Sequence, residues 1–161
     1  MKKKILKRYV YEGLGFPVVL KNVPTILIRG ELTPDIDYNA LQKAVLILLC
    51  YKRAPLTGNE VKFIRKYFEM NLTEFGAEFG CSHAAVMKWE KFGNRFAKIG
   101  PATDVCIRLF SIYRLHCKSS AFKELYDRIK IQELAKCQKK PSHFEPFAID
   151  MSEDLEMAVN C

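Results

Sequence analysis

Asn71–Glu90, NLTEFGAEFGCSHAAVMKWE, is the stretch whose reading decides the fold. It predicts two short helices joined by a tight turn, each with a cap at its start. Asn71 is placed to accept hydrogen bonds from the free amides of the first turn, and Glu74, three residues on, completes a capping box. Gly76 stands where two helices would cross closely. Gly80, free to adopt positive φ, supplies the turn. Ser82 caps a second helix, His83–Glu90. Phe75, Phe79, Cys81, Val86 and Trp89 are spaced to face one shared core. Such an arrangement is a helix-turn-helix, whose second helix ordinarily lies in the major groove of DNA.

The flanks extend the helical pattern. Upstream, Thr57 and Glu60 form another capping box, opening a helix to about Glu69 with Val61, Ile64 and Phe68 on one face and Arg65 and Lys66 off it. Downstream, 91–100 is a loop rich in Gly and basic residues. Pro101 suits the first turn of a helix reaching Cys117, with Val105, Leu109 and Ile112 on one stripe. Ser119 or Ser120 caps a last helix to about Cys137, with Phe122, Leu125 and Ile129 in register.

Towards the N-terminus, residues 9–36 read as extended. Phe16–Leu20 and Thr25–Arg29 are rich in Val and Ile, and Asn22-Val-Pro24 separates them, as in a hairpin or a two- to three-stranded sheet. Asp37 caps a helix, Tyr38–Tyr51, that is apolar on most faces and so buried in a core or an interface. After Lys139-Lys140-Pro141 the periodicity stops. The expected fold is mainly α with a small N-terminal β segment and a five-helix helix-turn-helix domain. The expected divisions are a basic arm (1–8), a β-hairpin plus helix (9–54), the DNA-binding domain (55–138) and an acidic flexible tail (139–161).

Charge points the same way. The chain of 161 residues carries a net +8, unevenly distributed. Five basic and no acidic side chains lie in residues 1–8, whereas 141–161 hold Glu145, Asp150, Glu153, Asp154 and Glu156 with no Lys or Arg. A basic body with an acidic tail fits a polyanionic ligand such as nucleic acid, and equally a soluble basic protein with solvated charges. No apolar run approaches the ~18 residues of a membrane span, and the start lacks the pattern of a signal peptide, so a cytoplasmic protein with no membrane role is expected. None of the six cysteines forms a C-x-x-C pair. His116-Cys117 alone lacks the paired spacing of a zinc site, so free thiols, no metal and no cofactor are expected. Catalysis is not expected either. Gly13-Leu-Gly15 has no following glycine or helix start, and the three histidines are scattered.

Within the second helix, Val86 and Trp89 face inward and the outward face is Ser82, His83, Ala84, Met87 and Lys88. His83 is placed to donate to a guanine acceptor or a phosphate, small Ala84 permits close approach to a thymine methyl, and Lys88 reaches a base edge or the backbone. Lys91, Arg95 and Lys98 follow in the loop, where phosphate contacts set register and supply salt-dependent affinity. The same caps and spacing also serve a packing unit without a ligand.

Down to its Gly80-x-Ser82 turn and Val86-x-x-Trp89-Glu90 ending, this segment resembles the Cro/cI (XRE-type) helix-turn-helix. Leu56-Thr-Gly-Asn-Glu60, Phe63-Ile-Arg-Lys66 and Gly100-Pro-Ala-Thr-Asp104 resemble the DNA-binding half of MqsA-type antitoxin regulators, and the front end from Tyr11-Glu-Gly-Leu-Gly15 through 38–51 resembles related regulators. The resemblance implies a homodimer on a palindromic operator, often that of the protein's own operon, and a toxin partner neutralised by binding. It also implies DNA-reading roles for Ser82, His83, Ala84 and Lys88, and a backbone-facing cap at Asn71. The zinc module of MqsA has no counterpart here, and Leu72 stands where the family's phosphate-contacting Gln is common. Discrimination would then rest partly on DNA shape and on the arm Lys2–Arg8. The expected function is an autorepressing antitoxin. The alternatives are a stand-alone phage or mobile-element repressor, and a protein-interaction module with a degenerate helix-turn-helix.

Overall fold

The structure, a computed structural model, describes residues 4–115, 117, 119–129, 131–138 and 146–155. Among these the protein is mixed α and β, with seven helices and one four-stranded sheet. It divides into two units: residues 4–45 with 146–155, and residues 46–138.

The first unit is built on the sheet. Strand β1 (Ile5–Tyr11) pairs antiparallel with β2 (Val18–Ile28), setting Tyr9 opposite Leu20 and Leu6 opposite Val23. β2 then forms a hairpin with β3 (Glu31–Pro34), Leu27 opposite Leu32. The connecting Arg29 and Gly30 both have positive φ, 51° and 87°. That is the turn whose twist matches the flanking strands.

Two expectations are corrected here. Asn22-Val-Pro24 does not separate two strands, because β2 runs through it. Asn22 turns to φ 54°, a conformation Asn tolerates better than most residues. Its side-chain amide donates to Asp150 Oδ2 at 2.8 Å. Pro24 falls at the changeover along β2 from the last strand, β4 (Phe147–Asp150), to β3, where a missing N–H costs little. The second correction is β4 itself, which forms inside the segment expected to be an unstructured acidic tail. It lies parallel to β2 with Ile149 beside Leu20, both fully buried. Its Phe147-Ala-Ile149 alternation is too short to stand out among acidic neighbours, and its partner lies more than a hundred residues upstream. The part of that segment at 139–145 and 156–161 lies outside the described residues, as does 1–3 of the basic arm; Lys7 and Arg8 belong to β1.

Helix α1 (Tyr38–Tyr51) starts as expected. Asp37 accepts from the Asn39 and Ala40 amides at 3.0 and 3.1 Å. Seven of its side chains between Leu41 and Cys50 are buried, which is why it is apolar nearly all round.

The helical unit contains α2 (Gly58–Tyr67), α3 (Leu72–Glu78), α4 (His83–Glu90), α5 (Pro101–Arg114), α6 (Ser119–Arg128) and α7 (Ile131–Gln138). Six helices therefore occupy the described part of 55–138, where five were expected. The additional one arises because the last predicted helix divides after Arg128. Leu125, Ile129 and Leu134 all enter one cluster with Cys50, Val105 and Ile112. A straight helix would carry Leu134 roughly 180° away from Leu125, so the break lets both face the same core.

The same unit holds a buried charge. Arg108 is fully buried on α5 and pairs with Asp104 one turn earlier at 2.6 Å. Its other nitrogens donate to the carbonyls of Cys50 (3.2 Å) and Ala54 (2.8 Å) and to that of Lys52. Asp104 in turn accepts from the Leu56 amide at 2.9 Å. One guanidinium thus satisfies carbonyls at the C-terminal end of α1 and in the segment just beyond it. Sequence reading missed it because every partner but Asp104 is more than fifty residues away.

Cys50, Cys81, Cys106 and Cys137 are free thiols, while Cys117 is disulfide-bonded, which corrects the expectation of free thiols throughout. Burial pushes the Cys50 thiol up to about 12, so it packs as a small apolar group. No described helix is long and apolar enough to cross a membrane.

Candidate nucleic-acid interface

Each helix end around residues 57–91 is fixed by a side chain close by in sequence. Thr57 and Glu60 close the capping box of α2. Asn71 accepts from Thr73 and Glu74 amides at 2.9 Å each, and Glu74 accepts from the Asn71 amide at 2.8 Å. Ser82 accepts from Ala85 N at 3.2 Å. All three caps stand where the sequence put them. Gly80 takes φ 64°, as the turn requires.

Gly76 has a sharper reason for being glycine. A Cβ there would lie 2.5 Å from the Cys81 carbonyl oxygen, a backbone atom that cannot swing aside. The turn therefore closes directly on α3, whose Gly76 carbonyl accepts from the Cys81 amide at 2.8 Å. Phe75 and Val86 are fully buried between the two helices, whereas Phe79, Cys81 and Trp89 are only half-buried. Phe79 nonetheless packs edge-on against Phe75 and Phe110, with centroids 5.1 and 5.5 Å apart.

Two contacts lock this pair of helices to α2. Arg65 grips Glu90 with two nitrogens, at 2.6 and 3.0 Å, and gives a third hydrogen bond to the Met70 carbonyl at 2.9 Å. Gly58 meets the end of α4 so closely that a Cβ would sit 2.5 Å from the Trp89 carbonyl oxygen. The sequence pattern places Arg65 only off the apolar face of its helix. The available signal was Glu90, the sole acidic residue between Lys88 and Lys98, at the end of a helix where an unpaired carboxylate is unfavourable.

The basic loop after α4 is anchored as well. Asn59 N donates to Gly93 O at 2.8 Å, Gly58 N to Arg95 O at 3.2 Å, and Ala97 N to Leu56 O at 2.9 Å. The Asn59 and Asn94 side chains meet at 2.9 Å. Arg95 and Lys98 lie over the Phe92 ring, 5.7 and 5.6 Å from its centroid. One aromatic ring thus contacts two cations.

Against this frame the predicted contact residues fall as follows. Ser82, His83, Met87 and Lys88 are exposed, and Ala84 is half-buried between them. Lys91, the C-cap of α4, and Arg95 are exposed. His83, Met87 and Lys91 follow one another at four-residue spacing, and Ala84 and Lys88 form the adjoining row, so these side chains share the outer side of α4. Asn71 is a cap that faces solvent. Among the described residues no three His, Cys, Asp or Glu side chains gather to hold a metal ion, and no buried side-chain polar atom lacks a partner. The outer side of α4 therefore offers exposed polar and basic side chains around a small residue. No protein-family model, curated protein or solved structure matches this chain.

Proposed function

We propose that the protein is a sequence-specific DNA-binding regulator of transcription, with a Cro/cI-type helix-turn-helix formed by α3 and α4, acting as a homodimer on a palindromic operator. The observation that carries the reading is the outer side of α4. It combines exposed His83, Met87 and Lys88 around small Ala84 with exposed Lys91 and with Arg95 and Lys98, which lie over the Phe92 ring. A helix that reads a groove needs a side free of its own core and a backbone held to a fraction of an ångström, and the caps, Gly76 and the Arg65–Glu90 fork supply the second requirement. His83 and Lys88 would read base edges, Ala84 and Met87 would lie against the groove floor, and Ser82, Lys91 and Arg95 would hold phosphates. No bound cofactor enters this scheme.

In its finer form the reading is an autorepressing antitoxin, whose second partner is a toxin encoded beside it. A gel shift on the DNA immediately upstream of the gene, with random competitor at two salt concentrations, tests the regulator. A competitor-resistant shift supports it, and equal affinity for random DNA counts against it. Co-purification with the product of an adjacent small gene tests the antitoxin form, which an isolated gene would remove in favour of a stand-alone repressor.

A further inference from the structure

The β2–β3 ribbon leaves the first unit with apolar side chains in water on both faces. Leu27 and Leu32 lie opposite each other on one face, the face that nearer the core carries buried Val23 and Thr25. Ile26 and Ile28 lie on the other, beside Ile5, whose partner is Pro24. Leu27 is 62% exposed and Ile5 60%, and five of the nine exposed large apolar residues described in the chain sit in this one place. Isolated apolar residues on a surface mean little, but a concentrated patch marks a contact.

Charge identifies the occupant. The chain as a whole is +8, so two copies repel over most of their surface. The ribbon, residues 24–34, holds one Arg (Arg29) and one Glu (Glu31), and is neutral. A second copy therefore meets little repulsion at the ribbon itself. Arg29 at the turn and Glu31 beside it also form a self-complementary pair, each able to meet its opposite across a two-fold axis.

The five side chains leave on the order of 450 Å² per chain in water, so a two-fold contact hides at most on the order of 900 Å², the size of a weak interface rather than of the ~1,200 Å² at which stable ones begin.

We propose that the β2–β3 ribbon is the dimerisation arm of this protein, gripping the same ribbon of a second copy through Leu27, Leu32, Ile26 and Ile28, with Arg29 of each copy meeting Glu31 of the other. The inference supplies a surface for the proposed homodimer and does not rest on the DNA reading, so its test contains no DNA.

Sedimentation equilibrium of the full chain over a wide concentration range measures the dimer constant. Leu27→Lys with Leu32→Lys introduces charge at positions already exposed, and circular dichroism of each variant checks that the fold is kept. The dimer constant should weaken by about 100-fold or more, since each change counts twice in a two-fold contact. Arg29→Glu and Glu31→Arg should each weaken dimerisation, and the two together should restore it to within about threefold of the parent. A chain that stays monomeric at about 100 μM, or a folded lysine variant that dimerises as the parent does, would overturn the proposal. Charge reversals that do not rescue each other would overturn the Arg29–Glu31 contact.

Discussion

Residues 71–90 and strand β2 are held by opposite kinds of partner. In 71–90 the amides opened by each helix start are met by a side chain at most three residues away: Asn71 to 73 and 74, Glu74 back to 71, Ser82 to 85. In β2 the partners of Val18–Lys21 on one side come from the far end of the chain, with Leu20 beside Ile149, and Asn22 is bonded to Asp150, 128 positions on. The first region is specified by its own letters. That side of β2 is specified only once the chain has closed on itself, and closing long loops costs entropy that local contacts do not. Changes of non-local partners should therefore unsettle a whole unit, and changes of local ones should unsettle a turn.

Arg108 is the strongest test, because its carbonyl partners belong to the chain from Leu49 to Ala54. Arg108→Met leaves Asp104 buried without its cation and those carbonyls without their donor. Urea denaturation should register a loss of about 3–5 kcal/mol, with Asp104→Asn in the same chain recovering part of it. A loss below about 1 kcal/mol would mean that the buried pair is dispensable.

Gly76 tests the local side. Gly76→Ala pushes a methyl group to within 2.5 Å of the Cys81 carbonyl and should cost about 1–3 kcal/mol. Hydrogen exchange should quicken mainly in α3 and α4 and little in the sheet. Uniform quickening would break the distinction between the regions. Asn71→Ala should be milder, about 1 kcal/mol, with fraying confined to the first turn of α3.

The smallest effect concerns the contact between Asn22 in β2 and Asp150 in β4. Hydrogen bonds from the Ser152 hydroxyl and amide, and then from Asn22, hold the Asp150 carboxyl below its ordinary 3.8. The stabilisation is therefore present above 3.8 and is lost as pH falls through the lower folded value. Followed by NMR, the Asn22 side-chain amide should titrate with a midpoint below 3.8. A midpoint above it would show that the Asn22–Asp150 contact does not hold in solution.

What was legible in the sequence follows the same division. The caps at Asp37, Thr57, Asn71 and Ser82, the turn at Gly80, the tight crossing at Gly76 and the limits of α1 and α4 were all readable, since each rests on residues within a few positions. The continuity of β2 through Asn22 and Pro24, the strand at 147–150, the Arg108 knot and the Arg65–Glu90 fork were not. Asn22 and Pro24 are ordinary breakers until the neighbours that excuse them are known. The candidate contact residues were readable as an outward helical side. What fixes that side and its loop, Gly58 against Trp89 and the Phe92 ring under Arg95 and Lys98, needed the fold.

The central claim is that α4 reads bases while the loop behind it holds the backbone. Its most direct measurement is fluorescence anisotropy of parent, Lys88→Ala and Lys91→Ala/Arg95→Ala proteins on the upstream DNA and on a scrambled copy, across a salt series. The double variant should weaken on both DNAs alike and flatten the salt slope by about 2. Lys88→Ala should lose about 1–3 kcal/mol on the upstream DNA alone. Equal losses on both DNAs from Lys88→Ala, or a salt slope unmoved by the double variant, would contradict the account.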